Sequence, residues 1–339
     1  MEKMYGIKEI AKMAQVSTAT VSRVINGSDR VSKKTKKKVQ QIIDTVGYIP
    51  NEVARGLVKQ SSSKVVGMII PDIFNVYYAE MTTYIEPALR EKGYSLQLCI
   101  SNSELEKINY YIDDLISRKA AGVIILSSAL LDSEKLIEKI RRNLAVVAIE
   151  TGFDGVDRIC VENKKGMYQA VDYLIRNGHR KIGFVGYEFH HPSLLDRVNG
   201  YKKALADNGI EFCDAYLVDE GNSTTPGYAG ALKLMDCQDP PTAIQCMNEY
   251  CAKGVYTALM ERGLKIPEHV SVSGFDGLRD FKLYSPTLAT AAIPLKEMAT
   301  AAVELVLNNI ADGNPEVVRT ITFPTTLRAG ESVKNILLV

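Results

Sequence analysis

Nowhere in its 339 residues does this chain carry an apolar run near the ~18 residues of a membrane-spanning helix, so no helical span is expected. The N-terminus lacks the charged, apolar and small-residue succession of an export signal, which points to a cytoplasmic protein. Six cysteines are present (Cys99, Cys160, Cys213, Cys237, Cys246, Cys251), none spaced C-x-x-C. Most sit in apolar, strand-like segments, which predicts reduced core thiols rather than disulfides or a zinc site. The four histidines form no ligand pattern, so no metal is expected. Missing too are a Gly-x-Gly-x-x-Gly turn, a Walker sequence and a nucleophile elbow, and Gly183-Phe-Val-Gly186 lacks the third glycine of a dinucleotide turn. Neither catalysis nor a bound cofactor is expected.

What is present is strongly polarised. The first 64 residues hold 13 Lys/Arg against 5 Asp/Glu, a net +8, while the remainder stands at −7, so the near-neutral total of +1 hides a basic head on an acidic body. Within the head, Ile7, Ile10, Ala11 and Ala14 recur at helical spacing and define one apolar stripe. After a tight turn, Ser17 can cap a second helix that buries Val21, Val24 and Ile25. At 100° per residue, Ala19 and Arg23 then face away from the buried side, flanked by Thr18, Thr20 and Ser22. A third helix carries Val39, Ile42, Ile43 and Val46 on its apolar face and Lys33, Lys34, Lys36, Lys37 and Lys38 in its first turns. Cations at a helix N-terminus are unfavourable by roughly 0.3 to 1 kcal/mol each, so the cluster implies an external anion, for which a phosphate backbone is the obvious candidate.

Pro50 ends the third helix, and Asn51 to Leu57 is too short and too weakened by Gly56 to be helical alone in water; with the serine linker 61–63 it reads as a segment that folds on a partner. From Lys64 onward, short β-rich runs alternate with helical ones, which predicts parallel sheets covered on both faces. Strands are expected at 65–70, 95–100, 122–126, 146–149 and 158–161, and again at 182–185, 215–218, 243–246 and 270–275. The openings Lys64-Val-Val-Gly-Met-Ile-Ile and Lys181-Ile-Gly-Phe-Val-Gly hint at two similar lobes with a cleft between them.

These residues resemble the LacI/GalR family of transcriptional regulators over nearly the whole chain. Val16-Ser-Thr-Ala-Thr-Val-Ser-Arg-Val-Ile-Asn-Gly27 is similar to the family's helix-turn-helix signature, and Gly47-Tyr-Ile-Pro-Asn-Glu-Val-Ala-Arg-Gly-Leu57 to its hinge helix. Gly67-Met-Ile-Ile-Pro-Asp72, Asp196-Arg-Val-Asn-Gly-Tyr201 and Gly274-Phe-Asp-Gly277 fall in the family's order. The resemblance implies an α/β protein: a helix-turn-helix headpiece (1–50), a hinge and linker (51–63), and a core (64–339) of two Rossmann-like lobes of periplasmic-binding-protein type. The N-lobe would take about 64–161 and 292–322, the C-lobe about 162–291 and 323–339. Thr18, Ala19 and Arg23 would read base edges in the major groove. Ser17, Thr20, Ser22, Asn26, Thr35, Tyr48 and Asn51 would contact phosphates, with Ala54 in the hinge beside them and Leu57 wedged into the minor groove of a palindromic operator bound by a homodimer.

The resemblance also implies a small-molecule effector, a sugar or sugar derivative, in the interlobe cleft. Arg197 and Asp276 match effector-contacting positions, although the same pair could serve as a salt bridge between the lobes. Tyr77 and Tyr78 match an aromatic platform or pack the core; Glu150 and Asn248 complete the polar set. Glu249 and Glu162 replace expected aspartates, and Leu327-Arg-Ala-Gly-Glu-Ser332 lacks the usual arginine two residues before its serine, so the effector's identity does not carry over. The function implied is a repressor of carbohydrate-use genes. Alternatives are a global catabolite regulator using a phosphocarrier protein as corepressor and a purine-responsive repressor. A solute-binding transport protein leaves the basic head unexplained.

Overall fold

The computed structural model describes residues 5–25, 27–48, 63–126, 133–151, 153, 155–186, 192–218, 221, 224–279 and 285–337. It forms two compact units, Met1–Ser63 and Lys64–Val339. In the first unit, helices α1 (Ile7–Ala14), α2 (Thr18–Ile25) and α3 (Lys33–Val46) enclose Ile10, Ala11, Ala14, Val21, Val24, Val39 and Ile43. Ile7, Ile25, Ile42 and Val46 cover this core as partly buried residues. The caps follow from the sequence. Ser17 Oγ accepts Thr20 N–H at 3.1 Å, Ser32 Oγ accepts Thr35 N–H at 3.3 Å, and Gly47, at φ 64°, closes α3 in the left-handed conformation.

In the second unit the elements run β1 (Val65–Ile70), α4 (Val76–Glu91), β2 (Ser95–Ile100), α5 (Leu105–Ser117), β3 (Gly122–Ile125), α6 (Glu134–Asn143), β4 (Ala145–Ile149) and β5 (Asp157–Val161). There follow α7 (Asn163–Arg176), β6 (Ile182–Val185), α8 (Pro192–Asp207), β7 (Leu217–Val218), α9 (Thr224–Met235), β8 (Ala243–Cys246), α10 (Glu249–Glu261) and β9 (Ser271–Asp276). The chain ends with β10 (Ala289–Ala292), α11 (Leu295–Asp312), β11 (Thr320–Phe323) and β12 (Thr326–Arg328). Two six-stranded sheets result, β11-β5-β4-β3-β1-β2 in the first lobe and β12-β10-β9-β8-β6-β7 in the second. All pairings are parallel except β10 with β12. Helix α11 returns to pack on β3, β4 and β5, so the second lobe is inserted between pieces of the first.

One apolar cluster runs through both lobes, including Met68, Met81, Ile85 and Ile149 from the first and Phe184, Val198, Tyr201, Phe275 and Leu278 from the second. Separate clusters line the outer faces, one under α5 and α6 and one under α9 and α10. Several expectations need correction. Asp214–Tyr216 is a 3-10 turn, leaving only two residues for the strand expected at 215–218. Strands β10, β11 and β12 add to those expected. Cys99, Cys246 and Cys251 are buried thiols, but Cys213 is exposed.

Candidate functional site: a DNA-reading face and an interlobe cleft

The outer face of α2 carries exposed Thr18, Ala19 and Arg23, with Thr20 and Ser22 half-buried at its edges. Ser17 and Thr20 hydroxyls pair with one another at 2.9 Å, so the cap that starts the helix also fixes the orientation of both groups. Thr35 is held in the same way by Ser32, its hydroxyl at 2.9 Å. Lys36 pairs with Asp29 at 3.3 Å, whereas Lys33, Lys34, Lys37 and Lys38 are exposed around the start of α3. Tyr48 is half-buried against the headpiece core. Asn26, Asn51, Ala54 and Leu57 lie outside the described residues.

In the core, the C-terminal ends of parallel strands place the polar residues, because side chains there leave the sheet for the crevice between lobes. Glu150 follows β4 at φ 55°. Its carboxylate accepts Val161 N–H on Oε1 and Asn163 Nδ2 on Oε2, each at 2.7 Å. Asn163, the first residue of α7, in turn accepts Arg197 Nε on Oδ1 at 2.8 Å. From α8, Arg197 donates Nη1 to the Met247 carbonyl at 2.9 Å, lies 3.3 Å from Asp276 through Nη2, and stacks 3.8 Å above the centre of the Phe275 ring. A buried guanidinium is thus matched on its edge by carbonyl and carboxylate oxygens and on its face by a ring.

Asp276 ends β9 at φ 113° and is 3% exposed. Burial pushes its carboxyl up to about 6; the Arg197 cation opposes the rise and the Glu150 charge adds to it. Glu249, wholly buried at the start of α10, is pushed up to about 8 by burial and then by Asp276. It accepts Gly277 N–H at 2.9 Å and Leu278 N–H at 2.8 Å, fixing the turn after β9. Gly277 is required there, with φ 75° and space for a Cβ only 2.3 Å from that of Ala292.

Tyr77 enters from the first turn of α4, which Asn75 caps by accepting Tyr77 N–H at 3.1 Å. Its hydroxyl is buried without a hydrogen-bond partner. Burial, followed by the Glu150, Tyr78 and Asp276 charges, raises its pKa well above the ordinary value. Tyr78 meets it edge-on, ring centres 5.1 Å apart. Asn248 accepts Cys251 N–H at 2.7 Å as the cap of α10.

The expected cleft residues therefore converge, with one change. Arg197 and Asp276 both belong to the second lobe, so their pair does not bridge the lobes; the crossing is made by Glu150 through Asn163. Asn163, Phe275 and the Met247 carbonyl are members that the sequence did not single out as site groups, and Glu249 was noted only as a departure from an expected aspartate. Asn163 stands two residues after β5, at a sheet's C-terminal edge, and that position was the available signal. Among the described residues no group of His, Cys, Asp or Glu is arranged to hold a metal, and no helix is long and apolar enough to cross a membrane.

Residues 63–330 match the family described as periplasmic binding proteins and sugar binding domain of LacI family, and residues 6–51 match bacterial regulatory proteins, lacI family. The HTH-type transcriptional repressor PurR of Aliivibrio salmonicida is 31% identical over 92% of this chain and 94% of its own length. Catabolite control protein A of Priestia megaterium is 31% identical over 88% and 90%. Among solved structures, the Lac repressor dimer bound to operator and the anti-inducer ONPF superposes with a TM-score of 0.86 at 24% identity, covering 98% of this chain and 100% of that one. Helix-turn-helix head, twin parallel-sheet lobes and these matches agree: the chain belongs to the LacI family, as a DNA-binding transcriptional repressor with an effector-binding domain.

Proposed function

We propose that this repressor is a cytoplasmic homodimer that senses an uncharged sugar in the interlobe cleft and controls genes of carbohydrate use. The observation that carries the effector reading is the buried, unpartnered Tyr77 hydroxyl beside Glu150, Arg197 and Asp276. An orphaned buried hydroxyl costs about 1–3 kcal/mol, and a ligand hydroxyl arriving there removes that cost. The surrounding groups, two carboxylates, one guanidinium already neutralised by Asp276, and the Asn248 amide, offer both acceptors and donors while disfavouring a second anion. Phosphorylated sugars fit this charge balance poorly.

On DNA, Thr18, Ala19 and Arg23 read base edges of a palindromic operator; Ser17, Thr20, Ser22, Asn26, Thr35, Tyr48 and Asn51 contact phosphates, with Ala54 and Leu57 in the minor-groove segment. Effector binding prefers one arrangement of the lobes, and the changed separation of the two hinge segments alters their ability to fold on the operator. A purine-responsive reading is favoured by the similarity to PurR repressors and by the Tyr77–Tyr78 pair, which offers a stacking surface.

A thermal-shift screen of the full chain against pentoses, hexoses, disaccharides and purine bases separates the two. A ligand at 100 times its Kd stabilises by about 2.7 kcal/mol, enough to raise the melting point by several degrees. Stabilisation by a neutral sugar is the expected result. A response to purines alone would transfer the site to the second reading.

A further inference from the structure

Beside the cleft, a second set of contacts crosses from one lobe to the other. Glu80 of α4 is 9% exposed, and its Oε2 accepts the backbone N–H of Arg279 at 3.1 Å. Its Oε1 lies 3.4 Å from Arg279 Nε and accepts the Tyr84 hydroxyl at 3.3 Å. Arg279 also donates Nη2 to the Tyr84 oxygen at 2.6 Å, with its guanidinium 5.3 Å from the centre of that ring. Behind Arg279 the loop is anchored to its own lobe: Leu278 is buried in the shared apolar cluster, and Glu249 holds the two amides before Arg279.

We propose that Glu80 and Arg279 form a latch that holds the two lobes against one another, and so sets the closed-to-open ratio on which an effector acts. The inference rests on the lobe-movement reading above. Three features carry it. The contacts join residues 195–199 positions apart and are made by protein groups alone. They share their elements with the cleft: Tyr77 lies one turn before Glu80 on α4, and Asp276 lies three residues before Arg279, so any lobe movement at the cleft moves the latch. Their strength is also that of a switch. An arginine 71% exposed at its side chain contributes little as an ion pair, while the backbone amide held by a desolvated carboxylate contributes more, giving a bias a ligand can overcome rather than a permanent weld. Glu249 acts here as a positioning residue, since it presents Arg279 without touching Glu80.

The test is hydrogen–deuterium exchange on the ligand-free full chain, comparing wild type with Glu80→Gln, Arg279→Ala, Arg279→Lys and the Glu80→Gln/Arg279→Ala double variant. Loss of the latch is expected to raise exchange about three- to tenfold in cleft segments of both lobes, at residues 76–84 and 274–279 and at the more distant 159–165. Arg279→Lys keeps the charge and should fall between wild type and Arg279→Ala. The double variant should accelerate exchange by less than the product of the two single effects, because the Glu80–Arg279 side-chain pair is lost in each single. Acceleration confined to 277–279, or single effects that multiply in the double, overturns the latch, as does acceleration that extends into strand β1. The readout needs no effector. A latch response in a protein that binds none of the screened sugars would leave the latch standing and remove the carbohydrate reading; sugar binding without a latch response would do the reverse.

Discussion

Replacing Tyr77 with phenylalanine separates stability from ligand affinity in opposite directions. The substitution deletes one oxygen that is buried and bonded to nothing, and leaves a ring of nearly the same shape packed against Tyr78 and the shared core. Removing an unsatisfied buried polar group relieves about 1–3 kcal/mol. At about 2–4 °C per kcal/mol for a unit of this size, the ligand-free melting point should rise by about 2 °C or more. The effector, in contrast, loses a hydrogen bond of about 0.5–1.5 kcal/mol, which weakens binding by a factor of about 2 to 12. Calorimetric unfolding of the ligand-free protein and titration calorimetry with the effector found by screening measure both numbers on one variant. A lower melting point would show that the hydroxyl is satisfied in the free protein, and unchanged affinity would remove it from the site. Either result refutes the reasoning.

Two further outcomes are expected. Glu249 and Asp276 titrate near 8 and 6 in the fold, above their ordinary 4.5 and 3.8, so the native state holds protons that the unfolded chain releases and their contribution to stability is lost as pH rises from about 4 to 8. Glu249→Gln removes the larger share, and urea unfolding at pH 5 and pH 8 should show a smaller loss of stability than wild type; an unchanged difference would contradict the assignment. On DNA, Arg23→Ala should cost about 1–3 kcal/mol of discrimination at one base pair while sparing binding to unrelated sequence, read by competition with single-substitution operators; an equal loss on every sequence would deny Arg23 its base contact.

The headpiece is the part most openly written in the chain. Period 3.6 fixes its three apolar faces, Ser17 and Ser32 mark two helix starts, and the exposed triad of Thr18, Ala19 and Arg23 follows by rotation alone. The buried strands are almost as plain, because runs such as Val65–Ile70 are apolar throughout and have one place to go. Legibility fails where side chains stop announcing their environment. Ala289–Ala292 is too small and too short to look like a strand, and its sheet position is decided by the neighbours β9 and β12. The edge strand Thr320–Phe323 is mostly exposed, so it lacks the apolar signature of its partners. In the cleft, Arg197 and Asp276 could be named, and the expected bounds put both in the second lobe, but nothing in spacing says which strand end faces which helix. Asn163 went unremarked because an asparagine at a helix start reads as a cap, whereas here it ties Glu150 to Arg197.

The apolar cluster that passes from Met68 to Phe275 without a break changes what a lobe is in this molecule. A repacking in either half disturbs an interior owned by both, so residues far from effector and operator alike are able to mimic a change of effector. Variants that no longer respond to effector should therefore scatter through the buried face of α4, α7 and α11, and a ligand gripping one lobe should make the other harder to melt.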